Sequence, residues 1–150
     1  MDSLVELLGT TVERLPDKEA VVDDHYRLSY AELWDQVMAL AGELRRRGVQ
    51  PGDRVGVLLQ NSVQFVVALY GIYAASATAV PLDADAAAPN IVYQLGGTTA
   101  SAIVTQARYA RVLSEALVQL PGVGVAVVYN DGSEVKNAWP VAAYDWNSML

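Results

Sequence analysis

Two carboxylate pairs, one imidazole and one arginine cluster are the side chains whose types and spacing could do chemistry in this sequence. Asp23 and Asp24 precede His25, and Asp83 lies two residues from Asp85. Paired carboxylates can divide acid and base duties when their environments separate their pKa values. Both pairs, however, sit in turn-like stretches, where acids are ordinarily solvated. His25 is the single histidine, and its place in Asp23-Asp24-His25-Tyr26 reads as a solvent-exposed turn rather than a catalytic base. Arg45-Arg46-Arg47 falls at a predicted helix end, where cations favour the negative end of the dipole. There is no cysteine, hence no disulfide framework, thiolate metal site or cysteine nucleophile. No His, Asp or Glu residues have metal-ligand spacing on one face. The Walker phosphate loop is absent, and Gly122-Val123-Gly124 has only two of the dinucleotide glycines and precedes a strand instead of following one. There is no Gly-x-Ser-x-Gly elbow. No catalytic, cofactor-binding or metal-ligating residue is therefore assigned.

The elements that would position any site follow from composition and periodicity. A chain of 150 residues, 53% hydrophobic and 18% charged, reads as one folded domain with a sizeable core. Its net charge of −7, with ten basic residues spread thinly, argues against a nucleic-acid partner, which needs clustered Lys and Arg. The N-terminus lacks a basic region followed by an apolar core, so no signal peptide is expected and the cytoplasm is the expected compartment. Residues 55–82 carry no charge, but they divide into a short strand, the polar break Gln60-Asn61-Ser62, a buried helix and a second strand. No part is long enough for a membrane span, which needs about 20 apolar residues.

The helix starts and stops are legible. Ser29 caps a helix over 30–47, and Glu32 can reach back to the Ser29 amide to complete a capping box, with Leu28 and Leu33 as its hydrophobic staple. Gly48 supplies the left-handed residue that ends it. An amphipathic helix over 4–15 and a small hairpin over 19–29 precede it. Strands at 54–59, 79–82, 101–105 and 123–129 alternate with helices at 62–76, 89–96 and 107–119. That alternation predicts an α/β fold, a parallel sheet flanked by helices on both faces. The chain reads as a single α/β domain or lobe. Its parts are an N-terminal helix, hairpin and capped helix (1–53), a parallel α/β unit (54–129) and an irregular tail (130–150).

Five stretches together resemble the adenylate-forming (AMP-binding) ligases, the acyl-CoA synthetase-like family. Leu28-Ser29-Tyr30-Ala31-Glu32-Leu33 looks like that family's first core motif. Arg47 to Val55 looks like its helix-to-strand turn, and Gln60 to Phe65 like the start of its next helix. Leu69-Tyr70-Gly71 through Ala79-Val80-Pro81-Leu82 resembles the second core motif, and Pro89 to Leu95 with Ala102-Ile103-Val104 the next helix and strand. Ser29, Tyr30, Glu32, Leu33, Gly71, Pro81, Leu82 and Asp83 are the motif residues, and each is read as structural. Ser76 departs from the pattern by standing where the motif usually has glycine, so it must take a positive φ or reshape the helix end. Gly96-Gly97-Thr98-Thr99 resembles the middle of the family's phosphate loop, but Ala100-Ser101-Ala102 follows instead of Gly-x-Pro-Lys-Gly.

The resemblance implies an incomplete N-terminal part of a ligase large domain, because the family's phosphate loop, acyl pocket, magnesium-binding acid and catalytic lysine come later in sequence. The parent would use ATP, Mg and coenzyme A or a carrier thiol, with a lean towards a fatty or aryl acid, since Pro81-Leu82-Asp83-Ala84 lacks the proline that peptide-synthetase domains often carry. This chain alone would hold no cofactor and be inactive. A homo-oligomer, or the missing C-terminal part of the enzyme, is the expected partner. Leu4, Leu7, Leu8 and Val12 with Val21 and Val22 would form the apolar patch left uncovered. Two rival readings are a standalone flavodoxin-like binding module and a non-catalytic interaction protein.

Overall fold

The computed structural model describes residues 3–136 and 138–150. Helix α1 (Ser3–Arg14) leads into an antiparallel hairpin of β1 (Glu19–Val22) and β2 (Arg27–Ser29). Helix α2 (Tyr30–Arg46) follows. It opens on the expected capping box: the Glu32 amide donates to Ser29 Oγ at 3.2 Å and the Ser29 amide donates to Glu32 Oε1 at 2.9 Å. Gly48, at φ +101°, takes the left-handed conformation just past its end.

The rest of the chain builds a five-stranded parallel sheet. Its members are β3 (Arg54–Leu58), β4 (Thr78–Pro81), β5 (Ala102–Gln106), β6 (Val125–Tyr129) and β7 (Ala142–Asp145), in the order β4-β3-β5-β6-β7. All four pairings are parallel, and the hairpin forms its own two-stranded sheet. The connecting helices are α3 (Val63–Ala74), α4 (Ala88–Thr98) and α5 (Ala110–Leu117), the last entered through a 3-10 turn over Ala107–Tyr109.

Strand side chains alternate between two faces, and two cores result. Val55, Val57, Val104, Val125 and Val127 pack with α1, α2 and α3, through residues such as Val5, Leu40, Leu44, Val67 and Ile72. Leu58, Ile103 and Ala126 pack on the other face with Ile91 and Leu95 of α4 and Leu113 and Leu117 of α5. Strands covered on both sides explain why their sequences are continuous apolar runs.

The structure revises the reading of the tail. Residues 130–150 are not irregular throughout, since β7 extends the sheet by pairing with β6 from Val125↔Ala142 to Val128↔Asp145. Ala142-Ala143-Tyr144-Asp145 is too short and too mixed to signal a strand by its own pattern. Its place is fixed by distant partners: Trp146 is 1% exposed in the core, and the Arg47 guanidinium stacks over the Tyr144 ring at 3.7 Å. At the end of α3, Ser76 takes φ +62°, the strained option of the two open to a residue with a Cβ. Gly96 and Gly97 do not end α4, which runs on to Thr98 and closes at Thr99 with φ +54°.

Candidate functional site

A depression of about 800 Å³ lies at the carboxyl ends of β3, β5 and β6. Gln60 to Ser62 enter it from the end of β3, Gln106 from β5, Tyr129 to Asp131 from β6, and Asp23 to Tyr26 from the hairpin turn. In an open α/β sheet the crevice beyond the strand ends is where ligands bind, at the point where strand order reverses. β3 is that point, with β4 on one side and β5 on the other.

Most of the polar groups in the cleft hold each other. Asp23 Oδ1 accepts from the amides of His25 and Tyr26, both at 2.7 Å, while Oδ2 accepts from the Val63 amide at 2.9 Å. Asp23 thus ties the hairpin turn to the first turn of α3. The hydrogen bond from Val63, then those from His25 and Tyr26, hold its carboxyl below the usual aspartate range despite partial desolvation. Ser62 caps the same helix by accepting from the Phe65 amide at 3.3 Å. Gln106 Oε1 accepts from the Gln60 amide at 2.8 Å, and its Nε2 donates to Gln60 Oε1 at 3.3 Å and Asp131 Oδ2 at 2.8 Å. Asp131 also accepts from the amides of Arg108 and Ser133. Burial raises the Asp131 pKa, but the Gln106, Ser133 and Arg108 hydrogen bonds outweigh it and the net shift is downward. Tyr26 and Tyr129 share a hydroxyl–hydroxyl hydrogen bond of 2.8 Å. Burial, then the Tyr26 contact, pushes the Tyr129 phenol well above its usual range, so it stays neutral at physiological pH.

The electrostatics are one-sided. Asp23, Asp24 and Asp131 line the cleft, and neither Lys nor Arg does. The arginine cluster is remote and engaged: Arg46 and Arg47 pair with the buried Glu43 carboxylate at 2.7 and 2.8 Å, and Arg45 donates to the Ala74 carbonyl. The N-terminus of α3 would ordinarily draw an anion, but Asp23 already fills that role. The residues present do not fit a triphosphate. Among the described residues no group of three or more His, Asp or Glu could hold a metal ion.

The motif residues singled out by sequence are scattered through the molecule. Ser29, Tyr30, Glu32 and Leu33 start α2, where Tyr30 donates its amide to the Lys18 carbonyl at 2.9 Å and Leu33 is buried. Gly71 sits where α3 crosses α2, and a Cβ there would lie 2.7 Å from Leu40 Cδ2. Pro81 ends β4, Leu82 is buried and donates its amide to the Val57 carbonyl, and Asp83 forms a turn by accepting from the Asp85 amide at 3.0 Å. Asp83 and Asp85 line a separate hollow of about 220 Å³. The sequence pointed to Gln60-Asn61-Ser62 near the strand ends. It gave no sign of Gln106 and Asp131, whose partners lie 46 and 25 residues away. His25 is exposed at the cleft mouth.

Of the expected apolar patch, Leu4, Leu7 and Val22 are exposed, Val12 and Val21 are half-buried, and Leu8 is buried in the core with Val5. Among the described residues no helix is long and apolar enough to cross a membrane.

Residues 8–148 match the family described as AMP-binding enzyme. The chain is similar to gramicidin S synthase 2 of Brevibacillus brevis, 37% identical over 101 residues that make up 67% of this chain and 2% of that protein. It is 30% identical to a medium/long-chain-fatty-acid–CoA/3-oxocholest-4-en-26-oate–CoA ligase of Mycobacterium tuberculosis over 132 residues, 88% of this chain and 24% of the relative. The structure superimposes on an anthranilate CoA ligase solved with anthranoyl-AMP at a TM-score of 0.86 and 19% identity, covering 97% of this chain and 27% of that one. The chain thus spans a quarter or less of the length of these two curated relatives.

Proposed function

Because this chain belongs to the AMP-binding enzyme family, we propose that it serves an ATP-dependent acid–thiol ligase. In that reaction a carboxylate attacks the α-phosphorus of ATP, giving an acyl-adenylate and pyrophosphate. A thiol then displaces AMP to give the thioester. The family match over residues 8–148 carries the reading. Coenzyme A is the acceptor we favour, since similarity to the fatty-acid–CoA ligase spans 88% of this chain, with a fatty or aryl acid as substrate. Similarity to gramicidin S synthase 2 supports a second reading, transfer to a carrier-protein thiol.

Within that reaction these residues supply the scaffold and not the grip on nucleotide. An acidic cleft repels a triphosphate, and its polar groups are largely committed to one another. On this reading the chain alone does not form acyl-adenylate and works together with further polypeptide of the ligase. ATP–pyrophosphate exchange with a panel of carboxylic acids, beside a no-protein control, tests it. Exchange by the chain alone would overturn the scaffold assignment. Exchange that never appears once the rest of a ligase is joined to it would favour a non-catalytic interaction protein. Leu7 at 66% exposure and Val22 at 47% support a homodimer in the isolated chain, which light scattering would detect.

A further inference from the structure

The cleft holds one buried group that its internal network leaves unused. Gln64 lies on the inner face of α3 with Val67, Ala68 and Gly71. It is 6% exposed, yet among the described residues its side-chain amide has no hydrogen-bond partner. Among them, too, no fully buried side-chain nitrogen or oxygen is unsatisfied. The amide end of Gln64 must therefore open into the space it lines, which is the cleft. A primary amide that opens into a cleft from an otherwise buried side chain, with two donors and an acceptor uncommitted to protein, is free to meet a ligand.

The charge around it says what kind of group that is. Three carboxylates line the cleft, and His25 is the one lining residue able to carry a positive charge. Asp23 and Asp131 are occupied, whereas Asp24 is exposed and has no hydrogen-bond partner among the described residues. The one feature that would attract an anion, the first turn of α3, is already closed by Asp23 and Ser62. Tyr26 and Tyr129 add aromatic walls, which favour cations over anions.

We propose that this cleft binds an organic cation carrying N–H donors, an alkylguanidinium or alkylammonium, with the Gln64 carbonyl oxygen as acceptor at the floor and Asp24 as counter-charge at the rim. The inference does not rest on the acyl-transfer reading, because it uses only the donor, acceptor and charge inventory of the cleft. A free small molecule and an arginyl or lysyl side chain of another polypeptide stretch share this chemistry.

The test is titration of the 15N-labelled chain with methylguanidinium and with acetyl-Gly-Arg-Gly-amide, following the Gln64 side-chain amide resonances and, in every variant, the backbone amides of the cleft residues Asn61 and Asn130. Both probes should shift them saturably. Gln64→Leu should weaken binding about tenfold by removing the buried acceptor. Asp24→Asn, in an exposed turn that it does not brace, should weaken it about threefold, in line with a solvent-screened charge. It keeps the test open if the Leu variant fails to fold. A peptide that binds at least about tenfold tighter than methylguanidinium identifies a polypeptide source, while equal affinities identify a free cation, and either outcome supports the site. Absence of a saturable shift, binding unchanged in the variants, or tighter binding of ATP with Mg at the same resonances would overturn it.

Discussion

Asp23→Ala should loosen the joint between the hairpin and the parallel unit. The carboxylate accepts from two amides in its own turn and, 40 residues on in sequence, from Val63 at the start of α3. The Val63 bond is the expensive one to lose, because Val63 is buried and water cannot readily replace the acceptor. A side-chain cap of this kind contributes about 0.5–2 kcal/mol. The His25 and Tyr26 amides lie in an exposed turn, so their loss adds about 0.5 kcal/mol at most. The sum, about 0.5–2.5 kcal/mol, corresponds to a Tm decrease of roughly 1–10 °C for a chain of this size. The difference between wild type and variant should also depend on pH. The folded-state pKa of Asp23 lies below its ordinary value of 3.8. Its contribution is therefore fully present above that value and erodes as pH falls through the folded pKa. Urea midpoints of both proteins from neutral pH down to about 3 would show the gap narrowing at the acid end. A Tm change under about 1 °C, or a gap that widens on acidification, would refute the role assigned to this carboxylate.

Gly71→Ala should destabilise by about 1–3 kcal/mol, because the new methyl group would meet three Leu40 side-chain atoms at 2.7–2.9 Å where α3 crosses α2. Urea unfolding would measure it, and a neutral result would mean the helices can part freely. Ser29→Ala should cost about 0.5–2 kcal/mol by removing the acceptor for the Glu32 amide, read as a lower Tm without loss of helix elsewhere in circular dichroism. Ser76→Gly should raise stability by up to about 1 kcal/mol by relieving the left-handed backbone at φ +62°, visible as a Tm gain of roughly 2–4 °C.

Local features of the fold were legible in the sequence because their partners lie close along the chain. The Ser29–Glu32 box and the stop at Gly48 each need only a few neighbouring residues to state, whereas the choice at Ser76 between a positive φ and a reshaped helix end came from the family resemblance. The alternation of strands and helices was legible for a related reason, since burial on both faces leaves uncharged runs. What escaped depended on distant partners. β7 exists because β6 offers it an edge and because Trp146, Tyr144 and Arg47 bind it down, none of which shows in Ala142-Ala143-Tyr144-Asp145. The cleft was half legible. Gln60-Asn61-Ser62 was recognisable as a polar break at a strand end, and Asp23 as a turn acid. That the second oxygen of Asp23 reaches α3, and that Gln106 and Asp131 close the network, follows only from strand order.

That strand order bears on how the chain is made. After β4 takes one side of β3, every later strand joins the other side in the order of synthesis: β5 on β3, β6 on β5, β7 on β6. Each segment leaving the ribosome therefore meets a finished neighbour and never has to be threaded between two strands already in place. From β5 to β6 is some twenty residues, roughly one to four seconds of elongation, whereas helices and short-range contacts form in microseconds. Growth can proceed by addition at a single advancing rim. The cost is that this rim stays open for seconds at a time, a row of unpaired amides and carbonyls facing the crowded exit of the ribosome.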